Sequence, residues 1–212
     1  MINKYIDYID DPNDSFIQYL QKAKDMKVRC IFASLDQYDE AVQYLKDTDI
    51  IVAGAIDFPE GNLSLEAKLK EFQIYADKGF KEIDYVLNQK NIEERKYDEL
   101  LAELKAIADF CREHQITDKA IVEMCKLDEE AKIKVCKLAN EANPSFLKTS
   151  TGKSFGGART SDVVLMRKYL KDSIQIKAAG GIRSYSFAKE LVDAGAKALG
   201  ASAAIQIISE EK

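Results

Sequence analysis

Lys148 follows the apolar pair Phe146-Leu147 and leads into Thr149-Ser150-Thr151-Gly152-Lys153. A lysine at the end of a short buried strand is costly unless it is neutral, paired or chemically used. Lys177 repeats the pattern after Ile174-Gln175-Ile176, and Gly180, Gly181 and Arg183 follow it closely. Asp84 lies in a third apolar stretch, Glu82-Ile83-Asp84-Tyr85-Val86. Two ammonium groups held together and partly buried lower a lysine's pKa. Lys177 is thus the neighbour that keeps Lys148 substantially unprotonated near neutrality. A free amine attacks an aldehyde, and the protonated imine is an electron sink for carbon–carbon cleavage or formation. Taken singly, each residue reads as a solvated lysine or a structural aspartate. Three of them on one rim point to function.

The second element of the chemistry is phosphate. Small hydroxyl residues and glycines let backbone N–H groups approach an oxyanion. Thr151, Gly152 and Lys153 after one strand, Gly180, Gly181 and Arg183 after the next, and Gly200 and Ser202 after the last supply such loops. The Gly200-Ala201-Ser202 run is expected to open a short final helix whose N-terminus favours anions. Lys153 and Arg183 rank below the backbone donors, since either can be a solvated charge. Each loop taken alone is also readable as an ordinary strand-to-helix turn.

These residues need a scaffold that brings several strand ends to one face. Short apolar runs alternate with helical patterns, the signature of βα units and a parallel sheet. Strands are predicted at 5–9, 28–33, 50–56, 82–87, 120–124, 145–149, 174–178 and 197–200. Eight of them favour a closed (β/α)8 TIM barrel, with a six-stranded open sheet as the alternative. Active sites of such barrels lie at the C-terminal ends of the strands. Asn62 or Ser64 caps the helix carrying Leu65, Leu69, Phe72 and Ala76, Asp128 caps another, and Gly195 suits a left-handed helix end. No linker or repeat divides residues 1–212, so one domain is expected.

With 212 residues, 46% hydrophobic and 32% charged, the chain can bury a sizeable core and remain soluble. A net charge of −5 with interspersed signs gives no footprint for nucleic acid or a basic membrane patch. No signal peptide or membrane span is legible. Cys30, Cys111, Cys125 and Cys136 lack CxxC spacing and read as reduced thiols of a cytoplasmic protein. The single histidine, His114, lies in a polar Arg-Glu-His-Gln stretch that ends a long helix, which argues against a His-based metal site. Tyr38, Tyr44 and Tyr169 are compatible with a homodimer contact or with plain surface positions.

The runs Glu82-Ile-Asp-Tyr-Val, Phe146-Leu-Lys-Thr-Ser-Thr-Gly and Ile176-Lys-Ala-Ala-Gly-Gly-Ile-Arg, in this order, resemble the deoxyribose-phosphate aldolase family. The resemblance covers most of the chain and is strongest from Glu82 onward. It implies a class I lyase that reversibly cleaves 2-deoxy-D-ribose 5-phosphate to acetaldehyde and glyceraldehyde 3-phosphate, in deoxyribose phosphate catabolism. It assigns Schiff-base formation to Lys148 and proton transfer, through water, to Asp84 and Lys177. No metal or organic cofactor is then expected, because the imine replaces a Lewis acid.

There are departures from the family pattern. In the first strand Asp7 matches the family, but Tyr8 and its neighbours do not. Asp57 precedes Phe58-Pro59 where a glycine is usual, adding a carboxylate expected near the barrel mouth. Ala203 replaces a usual serine, and the chain lacks a C-terminal tyrosine tail. An aldolase for a different sugar phosphate, and a catalytically weak sugar-phosphate-binding barrel, remain the alternative readings.

Overall fold

Alternating apolar runs and amphipathic stretches build a ring of strands with helices outside it. The computed structural model describes residues 1–211. In chain order the elements are β1 (Ile6–Tyr8), α1 (Phe16–Met26), β2 (Cys30–Phe32), α2 (Tyr38–Leu45), β3 (Ile51–Ile56) and α3 (Leu65–Lys78). Then come β4 (Glu82–Val86), α4 (Gln89–Glu93), α5 (Tyr97–His114), β5 (Thr117–Ile121), α6 (Glu129–Ala142) and β6 (Phe146–Lys148). The chain finishes with α7 (Thr160–Tyr169), β7 (Gln175–Ala179), α8 (Tyr185–Asp193), β8 (Ala198–Ala201) and α9 (Ala204–Ser209). The strands follow one another in sequence order, all parallel, and β1 pairs with β8 to close the barrel. This excludes the open-sheet alternative.

Local signals set the helix ends. Ser15 and Gln18 form a reciprocal capping box that starts α1. Ser64, rather than Asn62, caps α3 by accepting from Ala67 N, and Asp128 caps α6 by accepting from Ala131 N. Gly195 takes φ 119° just after α8, a conformation that suits glycine.

The strands lie close to their predicted positions except one, which is shifted as a whole. The sequence suggests residues 120–124, but β5 spans Thr117–Ile121. Its polar opening reads as a turn, yet each of the three residues finds a partner in the barrel wall or interior. Thr117 N donates to Lys81 O, Asp118 Oδ1 accepts from Ser145 N, and Lys119 Nζ meets the Glu82 carboxylate. The apolar Val122 and Met124 instead flank Glu123, whose φ of 65° ends the strand.

The apolar core lies between strands and helices, where Ile83, Leu147 and Ile176 pack with Phe72, Leu104 and Met166. The barrel interior is polar: Asp7, Arg29, Glu82, Asp84, Lys119, Lys148 and Lys177 contact one another there. Tyr38 is engaged within the chain, donating to Gly79 O and packing on Phe80. All four cysteines are free, and burial pushes the Cys30 thiol up. Among the described residues, no helix is long and apolar enough to cross a membrane.

Candidate active site

Strand register creates the lysine pair. Lys148 and Lys177 are Cα partners across β6 and β7, while Asp84 on β4 is the partner of Lys119 on β5. Residues at every second position share the barrel interior. Lys148 Nζ and Lys177 Nζ therefore converge on one oxygen, Asp84 Oδ2, each at 2.7 Å. Lys177 also lies 2.6 Å from Asp7 Oδ2, and Lys119 lies 3.3 Å from Asp84 Oδ1. The Phe58 ring covers Lys148, with Nζ 5.6 Å from its centroid.

The charges of this group follow from burial and neighbours. Burial alone would raise the Asp84 carboxyl, but Lys148, Lys177 and Lys119 outweigh it and hold the group well below the usual carboxylate range. Burial is the largest influence on Lys148. Asp84 pulls its pKa up, Lys177 pushes it down, and the balance sets it at about 8. The expected direction is present, but the leading cause is desolvation rather than Lys177.

The phosphate-loop candidates come together around one cleft. Thr151, Gly152, Lys153, Gly180, Gly181, Arg183, Gly200 and Ser202 all line a space of about 470 Å³, which Ile9, Asp10, Asp11 and Pro12 complete. The glycines are there for two separate reasons. A Cβ on Gly180 would lie 2.9 Å from Gly157 Cα and 3.0 Å from Gly152 Cα, so three backbone segments pack without side chains. Gly181 has open space around it but needs φ 75°. Arg183, Lys153 and Ser202 are exposed along the cleft.

Two candidates differ from expectation. Thr151 is already committed: its hydroxyl donates to Glu123 Oε2 at 2.5 Å and accepts from Lys153 N at 3.0 Å. It shapes the loop rather than offering a free donor. The final helix begins at Ala204, with Ala203 at its N-cap and no side-chain cap, so Ser202 precedes it. Asp57 is also not a spare carboxylate at the mouth. Its oxygens accept from Asn62 N and Leu63 N, and Lys68 Nζ lies 3.2 Å away.

Gly200 links the cleft to the lysines. A Cβ there would sit 2.9 Å from Ala179 Cβ and 3.5 Å from Lys177 Cε. Gly200→Ala is expected to collide with the Ala179 side chain, push β7 and β8 apart beside Lys177, and cost about 1–3 kcal/mol of stability through overpacking. A denaturant midpoint equal to that of the parent would show that the site has slack.

The sequence reading missed Lys119, Arg29 and Glu82 as members of the charged group, and assigned no role to Glu123. The missed signal is a two-residue spacing: Glu82 stands two before Asp84, and Lys119 two before Ile121, which pairs with Lys148.

The fold and the buried lysine–carboxylate set define a TIM-barrel aldolase. No family model matches the chain. Deoxyribose-phosphate aldolase from Caldicellulosiruptor saccharolyticus is 37% identical over 99% of this chain and 98% of its own length. The enzyme of that name from Alkaliphilus oremlandii is 38% identical over 100% of this chain and 96% of its own. Among solved structures, an aldolase designated QR15 superposes with a TM-score of 0.87 at 30% identity, covering 99% of this chain and 95% of that one. A tetrameric deoxyribose phosphate aldolase from Aeropyrum pernix shares the fold with a TM-score of 0.85 at 24% identity, over 98% and 89% of the two chains. The chain belongs to the deoxyribose-phosphate aldolase family, a family of lyases.

Proposed function

We propose that this chain reversibly cleaves 2-deoxy-D-ribose 5-phosphate to acetaldehyde and glyceraldehyde 3-phosphate through an imine on Lys148. The observation that carries the reading is the pairing of Lys148 and Lys177 on one buried carboxylate oxygen, beside a glycine-lined cleft. The Lys148 amine attacks the aldehyde carbon of the open-chain sugar, and loss of water leaves a protonated imine. Removal of the C3 hydroxyl proton breaks the C2–C3 bond, and its electron pair flows into the imine to give an enamine. Glyceraldehyde 3-phosphate departs. Protonation of the enamine carbon and hydrolysis release acetaldehyde and restore the amine. Asp84 and Lys177 are the proton-transfer candidates, acting through water.

The cleft would take the phosphate on backbone N–H groups near Gly181 and Ser202, with Arg183 and Lys153 adding positive charge. Asp57 no longer favours a different sugar, because its oxygens are occupied by its own loop and Lys68. A homodimer belongs to the proposal as well, and sedimentation at working concentration reads it.

Borohydride reduction in the presence of acetaldehyde, followed by peptide mass spectrometry, is expected to place a two-carbon adduct on Lys148. An adduct confined to other lysines would overturn the assignment. The free amine is the nucleophile, so kcat/KM should rise with pH and level off above about 8. A flat profile through that range would contradict amine attack by Lys148.

A further inference from the structure

Beneath Lys148 the other six charged groups close into a ring. Asp84 Oδ2 meets Lys177 at 2.7 Å, and Lys177 meets Asp7 Oδ2 at 2.6 Å. Asp7 Oδ1 accepts from Arg29 Nε at 2.7 Å, and Arg29 grips both Glu82 oxygens at 2.9 Å each. Glu82 Oε2 accepts from Lys119 at 2.5 Å, and Lys119 returns to Asp84 Oδ1 at 3.3 Å. Signs alternate all the way round, three carboxylates against three cations. The ring is balanced without Lys148, which touches it at Asp84 alone among these groups.

Burial keeps this balance from being screened. The side chains of Asp7, Lys119 and Lys177 are 0% exposed, and only Arg29, at 18%, and Glu82, at 9%, reach solvent to any extent. Burial would raise the Asp7 and Glu82 carboxyls, yet Lys177 and Lys119 with Arg29 hold both below their ordinary range. Burial would lower Lys119, but Asp84 and Asp7 raise it. Arg29 and Glu82 line a second cleft at the N-terminal floor with Thr117, Ser145 and Gln175, from the starts of β5 to β7. They are therefore at the opposite end of the barrel from the proposed substrate.

We propose that Arg29 and Glu82 are positioning residues that favour the free amine of Lys148, by closing a neutral ring of six charges to which an ammonium on Lys148 would add an uncompensated seventh. This rests on the reading of Lys148 as the nucleophile. The charged groups acting on Lys148 are Asp84 from β4, Lys177 from β7 and Asp7 from β1, with Lys119 from β5 behind Asp84. The Phe58 ring from the β3 loop adds no formal charge.

The ring makes a prediction of opposite signs. Glu82→Gln removes an anion, leaves the interior positive and should move the ionisation midpoint of Lys148 down. Arg29→Gln removes a cation and should move it up. Each shift should be on the order of one pH unit. The double variant removes a balanced pair and should return to the parent value.

Competitive trace acetylation of Lys148 with acetic anhydride across a pH series, quantified by peptide mass spectrometry, reads the midpoint without requiring turnover. Shifts in the same direction, or no shift in either single variant, would overturn the inference, since loosened packing hydrates Lys148 and raises its midpoint in both variants. Should the single variants not fold, the Arg29→Met/Glu82→Met pair keeps the test: an unchanged midpoint is expected, and a shift of about a unit refutes the balance. Opposite shifts in a protein that forms no reducible imine would support the ring while rejecting the nucleophile.

Discussion

Lys148→Met lowers kcat on 2-deoxyribose 5-phosphate by about 10³-fold or more, the scale on which an enzyme loses its covalent nucleophile. The protein should stay folded, with little change in Tm. Methionine fills a similar volume, and removing Lys148 strands no partner, because Asp84 keeps Lys177 at 2.7 Å and Lys119 at 3.3 Å. Lys148→Arg should lose as much activity while retaining the charge, since a guanidinium does not deprotonate near neutrality. Turnover within tenfold of the parent in either variant would remove Lys148 from the mechanism. Unchanged melting alongside lost turnover would separate chemistry from structure.

Asp84→Asn has the second large effect, and it reaches both stability and rate. Lys119, Lys148 and Lys177 would converge on an amide, leaving positive charge buried without its partner. Breaking a buried pair in this way costs roughly 3–5 kcal/mol. The pH dependence follows from the direction of the shift. The folded state holds the Asp84 carboxyl well below its unfolded value. Its contribution is therefore present above the ordinary carboxylate range and lost as pH falls through the folded pKa. The Tm gap between parent and variant should be widest near neutral pH and close in strong acid. Lost proton transfer and orientation should reduce kcat by about 10²–10⁴-fold. An equal Tm at neutral pH would show that the three lysines find other partners.

The ring explains why both large effects come from so few atoms. A barrel of this kind usually fills its interior with layers of branched apolar residues. Here small residues lie next to the charged ones in the strand register: Ala55 beside Asp84, and Ala198 beside Lys177. Gly200 lets β8 approach the Ala179 side chain, next to the Lys177 stem. The space so created is taken by ion pairs, and a ring with even charge leaves Lys148 as the odd member. On the proposal made above, tuning of Lys148 is distributed over the barrel rather than confined to one neighbouring lysine.

The sequence by itself determined the order and kind of the elements, because hydrophobic period, N-caps and glycine stops are local properties. Ser64, Asp128 and Gly195 each act within a few residues of their own position. It also carried Lys148, Lys177 and Asp84, because a charge inside an apolar strand is anomalous without knowledge of its partners. The tertiary structure alone decided what those charges meet. Thr117-Asp118-Lys119 is locally a polar turn, and only closure of β4, β5 and β6 side by side makes it a strand that delivers Lys119 to Glu82 and Asp84. Asp57 likewise looks like a carboxylate available to substrate until Lys68, Asn62 and Leu63 are seen to occupy it. Ion pairing depends on distances between residues far apart in the chain, and strand register fixes those distances only once the barrel is closed.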